Sequence, residues 1–136
     1  MTDGSVPSPA GPTTSDRVLL AVAVVVQLVV LYAPRAPSTP SIPDVDKLVH
    51  AAVFGAVAWA AVRCGFPVRL VAGVLVAHAA LSEVLQHVLL TQRSGDPLDA
   101  VADTVGVVLG LALGRRSVRR SRGHRSATQA GGARSA

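Results

Sequence analysis

Apolar residues occur in four long runs separated by short polar segments. The runs cover residues 18–33, 48–62, 68–90 and 98–113. None of them alternates with a period of two, which disfavours strands and an outer-membrane barrel. A helix that crosses roughly 30 Å of hydrocarbon needs about 20 mostly apolar residues, and the third run alone meets that length. We therefore predict an all-α polytopic membrane protein with four transmembrane helices, the shorter ones extending into flanking polar residues.

The composition supports this interpretation. Half of the 136 residues are hydrophobic, 15% are charged, and the mean hydropathy is +0.47. A soluble chain of this size has too little polar surface to cover four such helices, so a soluble helical core is disfavoured. Cys64 is the only cysteine, which excludes an intrachain disulfide.

The two ends of the chain differ in composition from the membrane domain predicted at 17–114. Residues 1–16 are rich in Pro, Gly, Ser and Thr and predict a disordered tail. Residues 115–136 are basic, then small and polar, and predict a second disordered tail on the cytoplasmic side. No aromatic residues interleave with its arginines, so no nucleic-acid partner is predicted.

The distribution of bases predicts the orientation. With four crossings both termini share one side with the second loop, and that side holds ten bases, seven of them in the C-terminal tail. The other side holds three, which are Arg35, Lys47 and Arg93. The positive-inside rule then places both termini in the cytoplasm.

Polar residues of the last three predicted helices converge at the outer end. They are Asp46, Lys47, His50, Ser82, Glu83, Gln86, Asp99 and Asp103. A charged side chain at mid-membrane costs on the order of 2.5 to 3.5 kcal/mol on insertion scales, so such residues usually face a partner or a cavity. Three carboxylates at this depth require neutralisation by a base, a proton or a metal. We predict a polar pocket between these helices.

Structural explanations compete at some of these positions. Asp99 fits a helix-capping position, and Asp46 and Lys47 fit solvated charges at the membrane interface. Glu83 and Asp103 have no comparable explanation and are the strongest functional candidates by position. Further along the fourth helix, the spacing of Gly106, Gly110 and Gly114 predicts close packing against another helix rather than chemistry.

Three segments taken in order resemble the VanZ-like family of small bacterial membrane proteins. They are DKLVH (46–50), SEVLQ (82–86) and RSGDPLDAVADTVGVVLG (93–110), and the likeness covers about residues 44–112. The matching residues are Asp46, Lys47, His50, Glu83, Gln86, Arg93, Asp99, Gly106 and Gly110. Asp103 departs from the pattern, because the family usually has Asn there, and this changes the charge balance of the site.

The resemblance implies a multi-pass protein of the bacterial plasma membrane, and the name-giving member is associated with low-level resistance to the glycopeptide teicoplanin. It implies no settled reaction. We expect an outer-facing pocket that binds or modifies a lipid-linked cell-wall component or another amphiphilic ligand. Candidate catalytic residues are His50, Glu83, Asp99 and Asp103. Candidate ligand-binding residues are Asp46, Lys47, Gln86 and Arg93.

Two other functions stay open at this point. One is a non-catalytic scaffold whose polar residues lock the helix bundle, and the other is a metal-dependent membrane enzyme. The carboxylates and the histidine come from separate helices without the spacing of a dedicated zinc motif, so no metal ligands are predicted. The sequence identifies no cofactor and leaves open whether the protein catalyses a reaction or forms a homo-oligomer.

Overall fold

The computed structural model describes residues 11–33, 43–89 and 97–132. These residues form four helices and no strands, so the all-α prediction is confirmed. The helices are α1 (Thr14–Tyr32), α2 (Pro43–Arg63), α3 (Val68–Leu89) and α4 (Pro97–Gly132).

Three of the helices are long and apolar enough to cross a membrane. The qualifying segments are Thr14–Tyr32, Val45–Arg63 and Val68–Val88. Large apolar side chains cover their outward faces, as at Val25 and Val74, which are 60% and 58% exposed. Such apolar surface on membrane-length helices indicates a membrane protein. The fourth crossing and the cytoplasmic location of the termini stay predictions.

Helix α2 is the centre of the bundle. It packs most extensively against α4 and also contacts α1 and α3. It supplies half of the buried apolar cluster, whose members are Leu31, Val53, Phe54, Val57, Ala58, Ala61, Val62, Val71, Leu75, Ala79, Val107 and Leu111. Helix α2 therefore contacts each of the other three helices and holds His50 and Arg63 near their partners on them.

Helix α1 begins earlier than the predicted membrane-domain boundary at residue 17. Thr13 and Asp16 form a capping box, in which the Asp16 amide donates to Thr13 Oγ1 (3.2 Å) and the Thr13 amide donates to the Asp16 carboxylate (3.1 Å). These bonds satisfy backbone donors that the first turn of a helix leaves open. Asp16 thus belongs to the folded domain and not to the N-terminal tail.

The turn between α2 and α3 is fixed by a Schellman motif at Gly65. The Phe66 amide donates to the Ala61 carbonyl (3.2 Å), and the Gly65 amide donates to the Val62 carbonyl (3.0 Å). Gly65 has a φ of +87°, a conformation that a side chain disfavours. This tight turn makes α2 and α3 antiparallel neighbours and fixes which of their ends meet.

One end of the bundle is tied together by Arg63. Its guanidinium donates to Asp16 Oδ1 through Nε (2.9 Å) and Nη2 (2.7 Å), and to Ser117 Oγ (3.0 Å). Its Cζ also lies 5.0 Å from the centre of the Trp59 ring. The Cys64 thiol donates to the Asp16 carbonyl (3.2 Å). These contacts join α1, α2 and α4 at the end opposite to the predicted pocket, and we call them the Arg63 cluster.

The structure differs from the predicted disordered tail at 115–136. Helix α4 continues to Gly132. Arginine, alanine and glutamine have good helix propensity, and residues 115–132 contain no proline that would end the helix. Basic residues of this segment such as Arg115 and Arg119 are exposed. The predicted basic character is therefore carried on a helix as far as Gly132, and residues 133–136 lie outside the described range.

Candidate polar intramembrane site

A buried hydrogen bond joins the N-terminal segments of α2 and α4. His50 Nδ1 lies 3.0 Å from Asp103 Oδ1, and the two side chains are 1% and 0% exposed. One hydrogen bond therefore links two of the four predicted catalytic residues. A neutral or protonated imidazole can donate to this carboxylate through Nδ1. The carboxylate in turn fixes the orientation of the imidazole ring.

Further carboxylates surround this pair. Ligand atoms of His50, Glu83 and Asp103 all lie within 4.8 Å of one another, although the residues come from α2, α3 and α4. Ligand atoms of Asp46, His50 and Asp99 form a second group with the same limit. His50 belongs to both groups. The structure thus brings together five of the predicted site residues, and we call these five the polar site.

One carboxylate oxygen of Asp103 takes no part in the hydrogen bond to His50. Its Oδ2 is buried and accepts no hydrogen bond from any residue that the structure describes. Burying a polar atom without a partner costs roughly 1–3 kcal/mol, and more for a charged group. Both carboxylate oxygens of Glu83 are buried as well. The centre of the polar site is therefore rich in acceptor oxygens that are shielded from solvent.

The other three predicted ligand-binding residues are not among these five. Gln86 Nε2 donates to the Leu31 carbonyl at the end of α1 (3.1 Å), so this amide joins α3 to α1 instead of facing the pair directly. Lys47 is half-buried at the start of α2. Arg93, predicted to bind a head group, lies outside the described residues.

A second polar layer lies beside the polar site. The Tyr32 hydroxyl is 3.3 Å from His78 Nε2, which links α1 to α3. The ring of His78 also packs at a tilt against Phe54, with the ring centres 5.6 Å apart. Ser82 is fully buried and donates to the Ala79 carbonyl of its own helix (2.8 Å). The contacts of His78 with Tyr32 and Phe54 join α3 to α1 and α2, whereas the Ser82 bond lies within α3.

Glycines of α4 set how closely that helix approaches α2. A Cβ on Gly106 would overlap the Ala51 carbonyl oxygen, and one on Gly110 would overlap the carbonyl oxygen of Gly55. One on Gly114 would lie 2.9 Å from Val62 Cβ. This close backbone approach follows the pattern of small residues spaced four apart. Since Gly106 lies one turn after Asp103, the same approach allows the short Asp103 side chain to reach His50.

An apolar groove runs along the α2–α4 contact. It encloses about 460 Å³. Small residues and a few large apolar side chains line it: Ala51, Ala52, Gly55, Ala56, Trp59, Gly106, Leu109, Gly110 and Leu113. One end of the groove lies at the level of the polar site along the helices, because Ala51 follows His50 and Gly106 lies one turn beyond Asp103; the residues that line the groove do not include the five of the polar site.

Sequence analysis overlooked two groups of buried polar residues. Gln27 lies inside an apolar run, is 2% exposed, and its Nε2 has no hydrogen-bond partner among the described residues. It shares a buried face of α1 with Leu31, four residues later. The spacing of four residues between Gln27 and Leu31 could have predicted from the sequence that Gln27 lies on the buried face of α1. The ion pair between Asp16 and Arg63 could not be predicted from spacing, because its members lie 47 positions apart.

Comparison of the chain with protein-family models, curated proteins and solved structures finds no match. The resemblance to the VanZ-like family therefore stays a prediction that rests on the three segments quoted above.

Proposed function

We propose that this chain is a VanZ-like, multi-pass protein of the bacterial plasma membrane that binds a lipid-linked or amphiphilic ligand at the polar site. The observation that carries the proposal is the fully buried His50–Asp103 pair, with Asp103 Oδ2 left without a hydrogen-bond partner in the described part of the chain. Buried ionisable groups inside membrane helices usually mark functional sites. A head group with hydroxyl or amine donors would satisfy these acceptor oxygens.

The apolar groove supports a ligand that has both a polar and an apolar part. One end of it lies at the level of the polar site, and it is lined almost entirely by apolar atoms of α2 and α4. An alkyl or isoprenoid chain can occupy such a groove, while its head group reaches the carboxylates. Clefts with apolar walls and a few convergent polar groups are the usual form of ligand sites.

A fourth crossing by α4 belongs to this proposal. Its outward face is apolar between Leu98 and Leu113, where large side chains such as Val101, Val108 and Leu109 are more than half exposed. These 16 residues span about 24 Å of helix, which a thinned bilayer accommodates. The arginines that follow support a cytoplasmic location of the C-terminal part of α4 by the positive-inside rule. The polar site then faces the outer leaflet.

The ligand part of the proposal can be tested by filling the groove. Ala56 lines the groove on the exposed side of α2. An Ala56→Phe substitution places a ring in the groove, whereas Ala77→Phe adds the same ring to an exposed position of α3 outside it. Native mass spectrometry of the detergent-purified protein reports bound amphiphiles. We expect them on the wild type and on Ala77→Phe and much less on Ala56→Phe; equal occupancy on all three would contradict the proposal.

A non-catalytic scaffold is the second candidate. It is favoured by the bonds that polar side chains make between helices, such as Gln86 to Leu31 and Tyr32 to His78. In a scaffold, Glu83→Gln would lower the amount of protein in the membrane as much as any activity. A membrane immunoblot separates the two, because a ligand site predicts normal abundance with lost activity.

A further inference from the structure

The groups that converge in the polar site are ligand types for a metal ion. Glu83 and Asp103 offer carboxylate oxygens and His50 offers a ring nitrogen, and one such atom from each lies within 4.8 Å of the other two. Ligands bound at about 2.0–2.2 Å to a tetrahedral ion lie roughly 3.3–3.6 Å apart. Small side-chain rotations therefore bring the three atoms to bonding distance of one centre.

Asp103 supplies an independent indication that something binds there. The residue has no exposed surface, and its Oδ2 has no hydrogen-bond partner within the described ranges. Its other oxygen holds His50. His50 and Asp103 can bind the same ion only if the ion replaces the proton between His50 Nδ1 and the carboxylate, because a carboxylate that orients a ligand histidine from the outer shell does not bind that ion. A bound cation would supply the partner that this buried oxygen lacks.

The negative charge of the polar site also favours a bound cation. The polar site holds four carboxylates, at Asp46, Glu83, Asp99 and Asp103, and one imidazole. Several carboxylates at one depth of a low-dielectric region repel each other unless protons or cations intervene. A divalent cation between His50, Glu83 and Asp103 would offset the repulsion between these two carboxylates and satisfy the remaining acceptor atom of Asp103.

We infer that His50, Glu83 and Asp103 bind one divalent transition-metal ion, of the class of Zn²⁺ or Mn²⁺. Imidazole nitrogen favours zinc and its neighbours over magnesium and calcium, while the carboxylates suit both zinc and manganese. Three protein ligands leave at least one coordination position open, as in catalytic rather than structural sites. An oxygen of a phosphate-bearing head group can take that position, which would allow an acidic site to bind an anionic amphiphile. This last step rests on the proposed function; the metal site itself does not.

The test is metal binding by the full chain purified in detergent without chelators. The protein is loaded with Zn²⁺ or, separately, Mn²⁺, desalted, and analysed for metal by mass spectrometry. Wild type is compared with Asp103→Asn and Glu83→Gln, which keep side-chain shape and remove one carboxylate each. Asp16→Asn is the matched control, because it removes a buried carboxylate at the opposite end of the bundle. Circular dichroism and gel filtration establish that each variant is folded.

We expect about one ion per wild-type chain, retained by Asp16→Asn, and binding weakened at least tenfold in Asp103→Asn and Glu83→Gln, since even loss of an outer-shell partner commonly costs about that much. The inference is overturned if wild type retains no metal, or if folded Asp103→Asn and Glu83→Gln bind as tightly as wild type. The inference would also be overturned if Asp99→Asn lost metal binding while Asp103→Asn and Glu83→Gln retained it. Metal bound by a protein that carries no amphiphile would leave this inference standing and remove the proposed ligand function.

Discussion

His50 on α2 and Asp103 on α4 lie 3.0 Å apart, and both side chains are excluded from the surface of the bundle. They are separated by 53 positions in the chain. The contact is possible because Gly106, one turn after Asp103, lets α4 approach the backbone of α2 at Ala51. The close helix packing at Gly106 and the His50–Asp103 hydrogen bond thus depend on each other at the same helix crossing.

Replacing one member of this pair should destabilise the protein far more than replacing both. His50→Leu leaves Asp103 buried without its hydrogen bond, and we expect the free energy of unfolding to fall by roughly 3–5 kcal/mol. The double variant with Asp103→Leu removes both polar groups and should recover much of the loss. Reversible unfolding in mixed detergent micelles measures each value. A double variant as unstable as the sum of the two single variants would contradict the interpretation.

Glycine positions allow a second, matched comparison. Ala at Gly110 would push against the Gly55 carbonyl oxygen and Ala58 Cβ, so α2 and α4 must separate. We expect Gly110→Ala to destabilise the bundle by about 1–3 kcal/mol, as overpacked cores do. Gly73 is the control, since a Cβ there would meet nothing within 4 Å. Gly73→Ala should stabilise α3 by roughly 0.5–1 kcal/mol. Equal effects at both positions in thermal unfolding would argue against a close α2–α4 crossing.

The Cys64 thiol provides a prediction about pH. Burial raises the pKa of Cys64 above its ordinary value, and the nearby Asp16 carboxylate raises it further. Because only the thiolate reacts with maleimides and iodoacetamide, modification of Cys64 near pH 8 should be slower than that of a small model thiol. The rate should continue to rise with pH above the range in which the model thiol reaches its plateau. A pH–rate profile that coincides with the model thiol would contradict this environment.

Sequence analysis predicted that polar residues of α2, α3 and α4 lie close together, but it did not identify every partner. Asp46, His50, Glu83, Asp99 and Asp103 lie close together because the C-terminal half of α3 lies beside the N-terminal segments of α2 and α4, and this follows from the order of the runs. The rotation of each helix about its axis does not follow from the order. For this reason Gln86 was assigned to the ligand, whereas its amide donates to Leu31 of α1.

The two tails illustrate a different difficulty. Asp16 and Thr13 look like tail residues by composition, yet together they cap α1, and Asp16 binds Arg63 of α2. The arginine- and serine-rich segment after Gly114 was interpreted as disordered from its charge. Its backbone propensity is helical, and α4 continues through it to Gly132. Composition described the chemistry of both segments without determining their backbone.

Orientation in the membrane can be tested with single cysteines in a Cys64→Ser variant. A cysteine replacing Ser94, in the loop predicted to lie outside, should react with an impermeant thiol reagent in intact cells. A cysteine replacing the exposed Ser121 of α4 should react only after lysis. Both labelling patterns follow from the excess of bases on the side of the C-terminal segment. The opposite pattern would place the polar site at the inner leaflet.

The most direct test of the central claim is teicoplanin susceptibility in a sensitive bacterial host that produces either wild-type protein or Glu83→Gln at matched membrane levels. Gln preserves the shape of the side chain and removes its charge at the centre of the polar site. We predict that the wild type raises the teicoplanin concentration needed to stop growth and that Glu83→Gln does not. Equal protection by both proteins would contradict a functional polar site, and protection by neither would contradict the proposed role in glycopeptide susceptibility.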